Sequence, residues 1–325
     1  MMALLKTVAA ITPAAAAVLI GQSAQAQDTR GRLNKIVVPF PPGGTADVIA
    51  RLIAQHAETS SGQRFIIENR PGAGTIIGTD AVARSAPDAS TMLVMSNSFV
   101  INGVVRSSLP YDPMTSFEPV CMVADSPQVL VVHDSTPYRS LQDFVQAAKA
   151  KPGELSYATV GPATTQHIAG ESLKRALQVN LTYVPYTGGA PAVNAILGGH
   201  VTTVIANYNE VMEQLGPGKL RPLAVFSSKR IKQLPDVPTL DELGHKDQET
   251  SAFFGIVVPA KSPKDAVGQL TTILKAATSA PEVVSKFETQ GLLPGGPCGE
   301  EFRAHIQRQH DKYVRAIKEA GIKAE

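Results

Sequence analysis

Short apolar runs alternate with amphipathic stretches along most of the chain, and this alternation predicts an α/β protein with a largely parallel sheet. The apolar runs predict strands at 35–40, 65–69, 92–96, 129–133, 155–159, 181–185, 201–206, 220–226 and 253–258. The stretches between them predict helices at 45–56, 141–149 and 190–197; residues 263–323 are expected to be nearly all helical, with 300–317 as the longest piece.

Two runs of strands and helices are separated near residues 124–127 and again near 250–253, which predicts two lobes joined by a hinge that the chain crosses twice. We expect residues 27–126 plus 250–325 to form lobe 1 and residues 127–249 to form lobe 2. A length of 325 residues agrees with two domains. The sequence has no fixed-period repeat of the kind that would indicate a solenoid.

The first 26 residues have the three-part form of a secretory signal. Lys6 precedes an apolar stretch at 7–20, and Ala24-Gln25-Ala26 is an A-x-A cleavage site. A membrane anchor is the alternative, but it needs about 20 apolar residues, and Pro13 and Gly21 bracket a shorter run. We therefore expect cleavage after Ala26 and export of the mature chain.

Composition and charge exclude several classes of protein. Hydrophobic residues make up 43% of the chain, as in ordinary globular proteins. Lys and Arg number 30 against 28 Asp and Glu, so a net charge of +2 gives no field that would attract nucleic acid. Cys121 and Cys298 are the two cysteines, and an oxidising compartment permits a disulfide between them without requiring one. A disulfide and two buried thiols both remain open.

The most unusual segment is PFPPGGTAD at 39–47, which lies between a predicted strand and a predicted helix. Its prolines stiffen the chain, and its glycines allow the backbone to approach a ligand. With Thr45 as the predicted N-cap, the first-turn amides form an anion site at the positive end of the helix dipole. A tight turn without a ligand is the plainer interpretation of this loop alone.

Three further loops have the same architecture: 69–74 (NRPGAG), 159–167 (TVGPATTQH) and 186–191 (YTGGAP). In open α/β sheets, ligands bind beyond the carboxyl ends of the strands, where all four loops are expected. Their presence in both lobes predicts a shared cleft.

Motifs for other chemistries are missing from the sequence. The glycine spacing at 72–78 does not fit a dinucleotide fingerprint, and there is no P-loop, H-E-x-x-H, EF-hand spacing or G-x-S-x-G elbow. We therefore expect no cofactor, no metal and no catalysis. His167 is interpreted as a pocket residue rather than a base, and Asp47 as stabilising its own helix.

Taken together, five segments resemble the extracytoplasmic receptors of the tripartite tricarboxylate transporter family, also called Bug-type receptors. They are VPFPPGGTAD at 38–47, ENRPGAG at 68–74, LPYDP at 109–113, VPYTGGAPA at 184–192 and LPDVPT at 234–239. The resemblance implies a type II periplasmic-binding-protein fold whose two α/β lobes close over a small carboxylate. It also implies a periplasmic location and a two-component membrane permease as partner. We expect the receptor to be a monomer.

Position by position, the resemblance also implies a set of ligand-binding residues. They are Phe40, Pro41, Gly43, Gly44, Thr45, Ser96, Ser98, Asn102, Thr159, Gly161, Thr164, Thr165, His167, Tyr186, Gly188 and Asn207. Two positions depart from the family pattern: Gly103 replaces a frequent Pro, and Ala206 replaces the Asp of a frequent Asp-Asn pair. Without that carboxylate, a plain mono- or dicarboxylate is favoured over an amino acid.

Two alternative functions remain at this point. One is a sensory adaptor whose liganded form docks onto a membrane kinase instead of a permease. The other is an exported enzyme that uses His167 or Asp47, for which the sequence supplies no assembled nucleophile, base and orienting group.

Overall fold

The computed structural model describes residues 33–320; the predicted signal peptide at 1–26 lies outside them. The strands are β1 (Leu33–Val38), β2 (Arg64–Asn69), β3 (Thr91–Ser96), β4 (Phe117–His133), β5 (Ser156–Thr159), β6 (Thr182–Pro185), β7 (Thr203–Asn207), β8 (Leu220–Val225), β9 (Ser251–Pro259) and β10 (Leu293–Pro294). The helices are α1 (Thr45–Ser61), α2 (Ile76–Ala83), α3 (Asn97–Val105), α4 (Leu141–Ala150), α5 (Thr165–Leu177), α6 (Gly189–Leu197), α7 (Tyr208–Leu215), α8 (Lys264–Ser279), α9 (Pro281–Thr289) and α10 (Glu300–Ala320).

The strands follow the order β2-β1-β3-β9-β4-β7-β5-β6, with β8 and β10 also paired to β4. The first part of β4, to Pro127, pairs with β9, and its remainder pairs with β7 and β8. One continuous strand of 17 residues therefore passes from one half of the sheet to the other. Strand β9 runs antiparallel beside it from Ser251, where the chain returns.

Each half of the sheet has helices on both faces. In the first half, Ile49 of α1 and Leu274 of α8 pack on one face, and Phe99 of α3 and Phe302 of α10 pack on the other. In the second half, the two apolar clusters are built around Phe144 of α4 and Leu173 of α5, and around Ile196 of α6 and Val211 of α7. Burial of these faces supplies most of the driving force for folding.

The predicted strands and helices occur, and most of their ends move by a few residues. The predicted helical tail at 263–323 is interrupted between α9 and α10 by a segment that contains β10, and its last three residues lie outside the described residues. The sheet, however, is mixed rather than largely parallel, because β4 and β9 run antiparallel to their neighbours. The sequence also predicted only residues 129–133 of β4. Pro119, Asp125 and Pro127 interrupt its apolar pattern, and register shifts after Pro119 and Met122 accommodate the irregularity.

A disulfide joins Cys121 of β4 to Cys298, 177 residues later in the chain. The segment before α10 lies antiparallel to β4 through β10 and through the bridge between these two cysteines. Of the two possibilities that the sequence left open, the structure therefore has the disulfide. It fastens the start of α10 to the central strand.

Candidate functional site

A cavity lies where the two halves of the sheet meet, and five helices begin at its wall. The N-cap residues of these helices, in the order α1, α3, α5, α6 and α7, are Gly44, Ser96, Thr164, Gly188 and Asn207. All five line the cavity. Because each helix N-terminus carries unpaired N–H groups and a partial positive charge, their convergence favours an anion. We call this space the central cavity.

The loop between β1 and α1 is held open by its own hydrogen bonds. The Gly43 N–H donates to Asp47 Oδ2 at 3.0 Å, and the Asn69 amide donates to the Phe40 carbonyl at 3.1 Å. Gly43 has a φ of 82°, a conformation that favours glycine. The loop geometry is therefore fixed by contacts that face away from the central cavity.

Asp47 stabilises the start of α1, as predicted. Burial raises the pKa of its carboxyl, but hydrogen bonds from Arg51, the Gly43 N–H and Asn69 outweigh that effect and bring the pKa below its ordinary value. The Arg51 Nε lies 2.9 Å from Asp47 Oδ2. Asp47 is therefore an ionised structural anchor with its charge already paired.

The N-cap of α1 is Gly44, not Thr45 as the sequence predicted. Thr45 is the first helical residue, and its hydroxyl points toward α7 instead of back onto its own helix. As a result, α1 has no side-chain cap, and the same is true of α6, whose N-cap is Gly188. The first-turn amides of α6 therefore lack the competing oxygen of a Ser or Thr cap. In α1, the Thr45 N–H donates to the Glu210 carboxylate instead.

The N-cap residues of α3 and α5 cap these helices with their own side chains. Ser96 Oγ accepts a hydrogen bond from the Ser98 N–H at 3.3 Å, and Thr164 Oγ1 accepts one from the His167 N–H at 3.3 Å. Thr164 also donates to the Gly161 carbonyl at 2.7 Å. These hydroxyls are therefore engaged in holding α3 and α5.

The loops from the two halves touch at Gly188. A Cβ on Gly188 would lie 3.3 Å from the ring of Pro41, and its φ of 149° is one that other residues rarely adopt. Glycine is thus required here both for the backbone conformation and for the close approach of the β6–α6 loop to the β1–α1 loop.

A hydrogen-bond network crosses the central cavity between α1 and α7. Asn207 Nδ2 donates to Thr45 Oγ1 at 2.9 Å, and Gln166 Nε2 of α5 donates to Asn207 Oδ1 at 3.0 Å. Thr45 Oγ1 lies 3.0 Å from Asn209 Oδ1 and 3.1 Å from Glu210 Oε1, and its single proton serves one of them at a time.

Glu210 completes the network and has a strongly perturbed pKa. Its Oε2 accepts the backbone N–H of Asn207 at 3.1 Å, which forms a capping box for α7. Burial raises the pKa of Glu210 to about 7, although the hydrogen bonds from Asn207 and Thr45 act in the opposite direction. This carboxyl group therefore changes its charge near neutral pH.

Most of the predicted site residues line the central cavity. They are Phe40, Pro41, Gly44, Thr45, Ser96, Ser98, Thr164, Thr165, Gly188 and Asn207. Gly161 and Tyr186 instead line an adjoining groove together with the loop at 71–75, and this side groove shares Phe40, Pro41, Val160 and Thr164 with the cavity.

The remaining four predicted residues do not line the central cavity and make contacts next to it. Gly43 bonds to Asp47, and Asn102 Nδ2 donates to the Gly74 carbonyl at 2.7 Å. Thr159 bonds to the Gly161 carbonyl, and the His167 ring stacks on Tyr183 at 4.2 Å between centroids. The ligand-binding role predicted for each of them stays a prediction.

Several residues of the wall are not predicted by the sequence, and Glu210 matters most. Ala206 indicates that the site lacks a carboxylate, but Glu210 places one in the same cavity, four residues further on. The N-x-x-E spacing of Asn207 and Glu210 after a predicted strand is a capping-box signature that would have identified it. Gln166, Ala252 and Phe254 were also missed.

Within residues 33–320, no three His, Cys, Asp or Glu side chains come together as metal ligands would. In the same part of the chain, no helix has the length and apolarity to span a membrane.

Comparison with known proteins yields consistent matches. The family model described as "Tripartite tricarboxylate transporter family receptor" matches residues 49–322. The chain is 34% identical to protein BugT of Bordetella pertussis over 89% of each chain.

Solved structures superpose closely. The Rhodopseudomonas palustris protein Rpa4515, solved with adipate, is 33% identical with a TM-score of 0.87; 90% of this chain and 98% of that chain are covered. The periplasmic binding protein BugD is 32% identical with a TM-score of 0.86, at the same coverage. These matches confirm the predicted fold, a type II periplasmic-binding-protein fold of two α/β lobes.

Proposed function

The chain belongs to the tripartite tricarboxylate transporter receptor family of periplasmic solute-binding receptors, and from that premise we propose that it captures a small organic carboxylate by closing its two lobes. The receptor then delivers the carboxylate, chemically unchanged, to a two-component membrane permease. The convergence of five helix N-termini on one cavity carries the proposal. Among the described residues that line it, none is Lys, Arg or His.

Backbone amides supply enough energy for this role. Micromolar affinity corresponds to about −8 kcal/mol. A hydrogen bond to a charged group contributes about 1.5 to 3 kcal/mol, and a helix N-terminus adds about 0.3 to 1 kcal/mol. If their contributions are roughly additive, four to six such contacts reach about −8 kcal/mol after the entropy cost of ordering the ligand and the loops is subtracted. The adipate in Rpa4515 supports a carboxylate as the class of ligand.

The same arrangement supports lobe closure as the mode of capture. We propose residues 27–126 plus 250–325 as one lobe and 127–249 as the other, with the crossings in β4 and just before β9. In the closed form, the bond that Asn207 donates to Thr45 and the bond that Thr45 donates to Asn209 join the two lobes. In this proposal the receptor is a monomer and reaches the periplasm after its signal peptide is cleaved near Ala26. The intact mass of the exported protein would verify the cleavage site.

Calorimetry on the mature chain tests the function. We expect at least one acid in a panel of mono-, di-, tri- and aromatic carboxylates to bind with micromolar affinity or better. X-ray scattering should show a smaller radius of gyration in its presence. If folded protein gave no heat with any carboxylate of the panel, the proposed function would be wrong.

A further inference from the structure

Glu210 is a charged group that a cavity built for an anion does not need. Among the described residues that line the central cavity, it is the one with an ionisable side chain. The other polar lining residues are Thr45, Ser96, Ser98, Thr164, Thr165, Gln166 and Asn207. A carboxylate therefore lies inside the space that the proposed function assigns to a carboxylate ligand.

The Glu210 carboxyl group is held in one position. It accepts hydrogen bonds from the Asn207 N–H, at 3.1 Å, and from the Thr45 N–H, and the Thr45 hydroxyl lies 3.1 Å from its Oε1. On its other side it packs over Gly189, where an added Cβ would come within 2.4 Å of Glu210 Cδ and 2.5 Å of Oε1. The absence of a side chain at Gly189 thus makes room for this carboxyl group at the start of α6.

That position has a consequence for the ligand. The start of α6 belongs to the loop at 186–191, which was predicted to receive part of the ligand. An ionised Glu210 there repels a second ligand carboxylate, so a dicarboxylate binds only when Glu210 takes up a proton. A ligand with an ammonium group at that end instead gains a charge-assisted hydrogen bond.

We propose that Glu210 is the specificity-determining residue of the central cavity, and that it selects a carboxylate ligand carrying an ammonium group over the dicarboxylate of equal length. This inference rests on the proposed function, since it assumes that helix N-termini hold the ligand's carboxylate. The inference adds an ammonium group as the second functional group of the ligand.

The charged groups on the elements packed around Glu210 either have partners of their own or are exposed, so Glu210 supplies the charge at this end of the cavity. Helix α7 packs against β4, β7, β8 and α6, and neither β7 nor α6 carries a charged side chain. The nearest turn of α1 carries Asp47, already paired with Arg51. On α7 itself, Glu213 is exposed. The charged and titratable groups of β4 and β8 have partners of their own: Glu118 with Arg303, Asp125 with Ser251, His133 with Ser135 and Arg221 with Asp134.

The test is calorimetry with pairs of ligands that have equal numbers of carbons. The pairs are succinate and 4-aminobutanoate, glutarate and 5-aminopentanoate, and adipate and 6-aminohexanoate. With wild-type mature protein at about pH 8, we expect the amino acid of the best-bound pair to bind about tenfold or more tightly than its dicarboxylate. Glu210→Gln should reduce this preference at least about tenfold, mainly by weakening the amino acid.

A matched control and a second measurement make the result decisive. Glu213→Gln removes the same charge from the exposed side of α7 and should leave the preference unchanged. Gln at 210 preserves the capping-box acceptor for the Asn207 N–H, so α7 should fold. If the Glu210→Gln variant does not fold, proton linkage can still be measured on the wild type by calorimetry in two buffers of different ionisation enthalpy. Dicarboxylate binding should take up a proton, and amino-acid binding should release one.

The possible results separate the two proposals. Preference for the dicarboxylate in wild type, or an unchanged preference in Glu210→Gln, would overturn the role of Glu210 while leaving a carboxylate receptor in place. Loss of all binding across the wider panel would instead refute the proposed function and this inference with it. Opposite proton linkage for the two members of a pair would support the role of Glu210.

Discussion

Asn207 donates its side-chain amide to the hydroxyl of Thr45 at 2.9 Å, and this bond joins the first turn of α7 to the first turn of α1. The two helices pack on different halves of the sheet. Both residues are almost fully buried, with 2% exposure for Thr45 and 3% for Asn207. The bond therefore lies in a setting where an unpaired polar group is costly.

Removal of the Thr45 hydroxyl should weaken ligand binding. Thr45→Val keeps the shape of the side chain but leaves Asn207 Nδ2 without its acceptor, so we expect a loss of about 1 to 2 kcal/mol in binding, or about 5- to 30-fold in Kd. Calorimetry with the best-bound carboxylate measures it. The control is Thr59→Val on the exposed end of α1, whose hydroxyl bonds only within its own helix. Equal affinities in both variants would contradict the role of the network.

A side chain at Gly188 should weaken both folding and binding, and a control at Gly199 separates the two effects. Gly188→Ala places a Cβ 3.3 Å from Pro41 and forces a left-handed backbone, so we expect both lower stability, by about 1 to 2 kcal/mol, and weaker binding. Gly199→Ala also has a positive φ, of 72°, but its Cβ would meet nothing within 4 Å. The control should lose stability in urea titrations and keep its affinity. If both variants bound like wild type, the approach of the two loops would be unimportant.

Glu210 should make stability depend on pH. Its pKa is 4.5 ordinarily and about 7 in the folded protein, so the folded state holds more protons than the unfolded state between these values. Its contribution is therefore fully present below about pH 4.5 and is lost as the pH rises to about 7, by up to about 3 kcal/mol.

Urea unfolding of the ligand-free protein across this pH range measures the effect, with Glu210→Gln as the comparison. The difference in free energy of unfolding between variant and wild type should change steadily with pH and level off above about pH 7. A difference independent of pH would show that the folded protein does not raise this pKa.

The disulfide should contribute to stability and not to binding. Its closed loop of 177 residues corresponds to about 5 kcal/mol in the chain-entropy model, and native disulfides typically contribute about 2 to 4 kcal/mol. Cys121→Ser combined with Cys298→Ser should therefore lower the melting temperature and leave Kd unchanged, since neither residue lines the central cavity. Thiol titration of the unfolded, unreduced wild type should find no free thiol; two thiols would contradict the bond.

The sequence predicted those parts of the fold in which local pattern and tertiary structure agree. The alternating run before the PFPPGG loop is β1, and the amphipathic stretch after it is α1, as expected. The first part of β4 was missed because its buried residues, such as Val120 and Val123, give no alternation, while two prolines suggest a break. Pairing with β9, a long-range contact, overrides that local signal.

In the candidate site, too, the features marked by local sequence were predicted and the long-range contacts were not. Loops that precede helices were found because glycine and proline mark them locally. Three of the four predicted loops contribute residues to the central cavity, and the loop at 69–74 lines the side groove instead. The N-cap of α1 was assigned to Thr45 from residue preference alone. Its hydroxyl instead bonds to α7, which follows it by more than 160 residues in the chain. A local rule contains no information about that partner.

Because five helix N-termini surround the central cavity, attraction for anions comes from the main chain, and the choice among anions is left to the side chains. An N–H group belongs to every amino acid except proline, so the attraction of these first turns for negative charge does not depend on the identity of a side chain. Side chains such as Glu210 and Phe254 are then free to vary and to redefine which metabolite fits. If the proposed function holds, a change of cargo requires new side chains on the cavity wall, while the main chain that attracts acids stays the same.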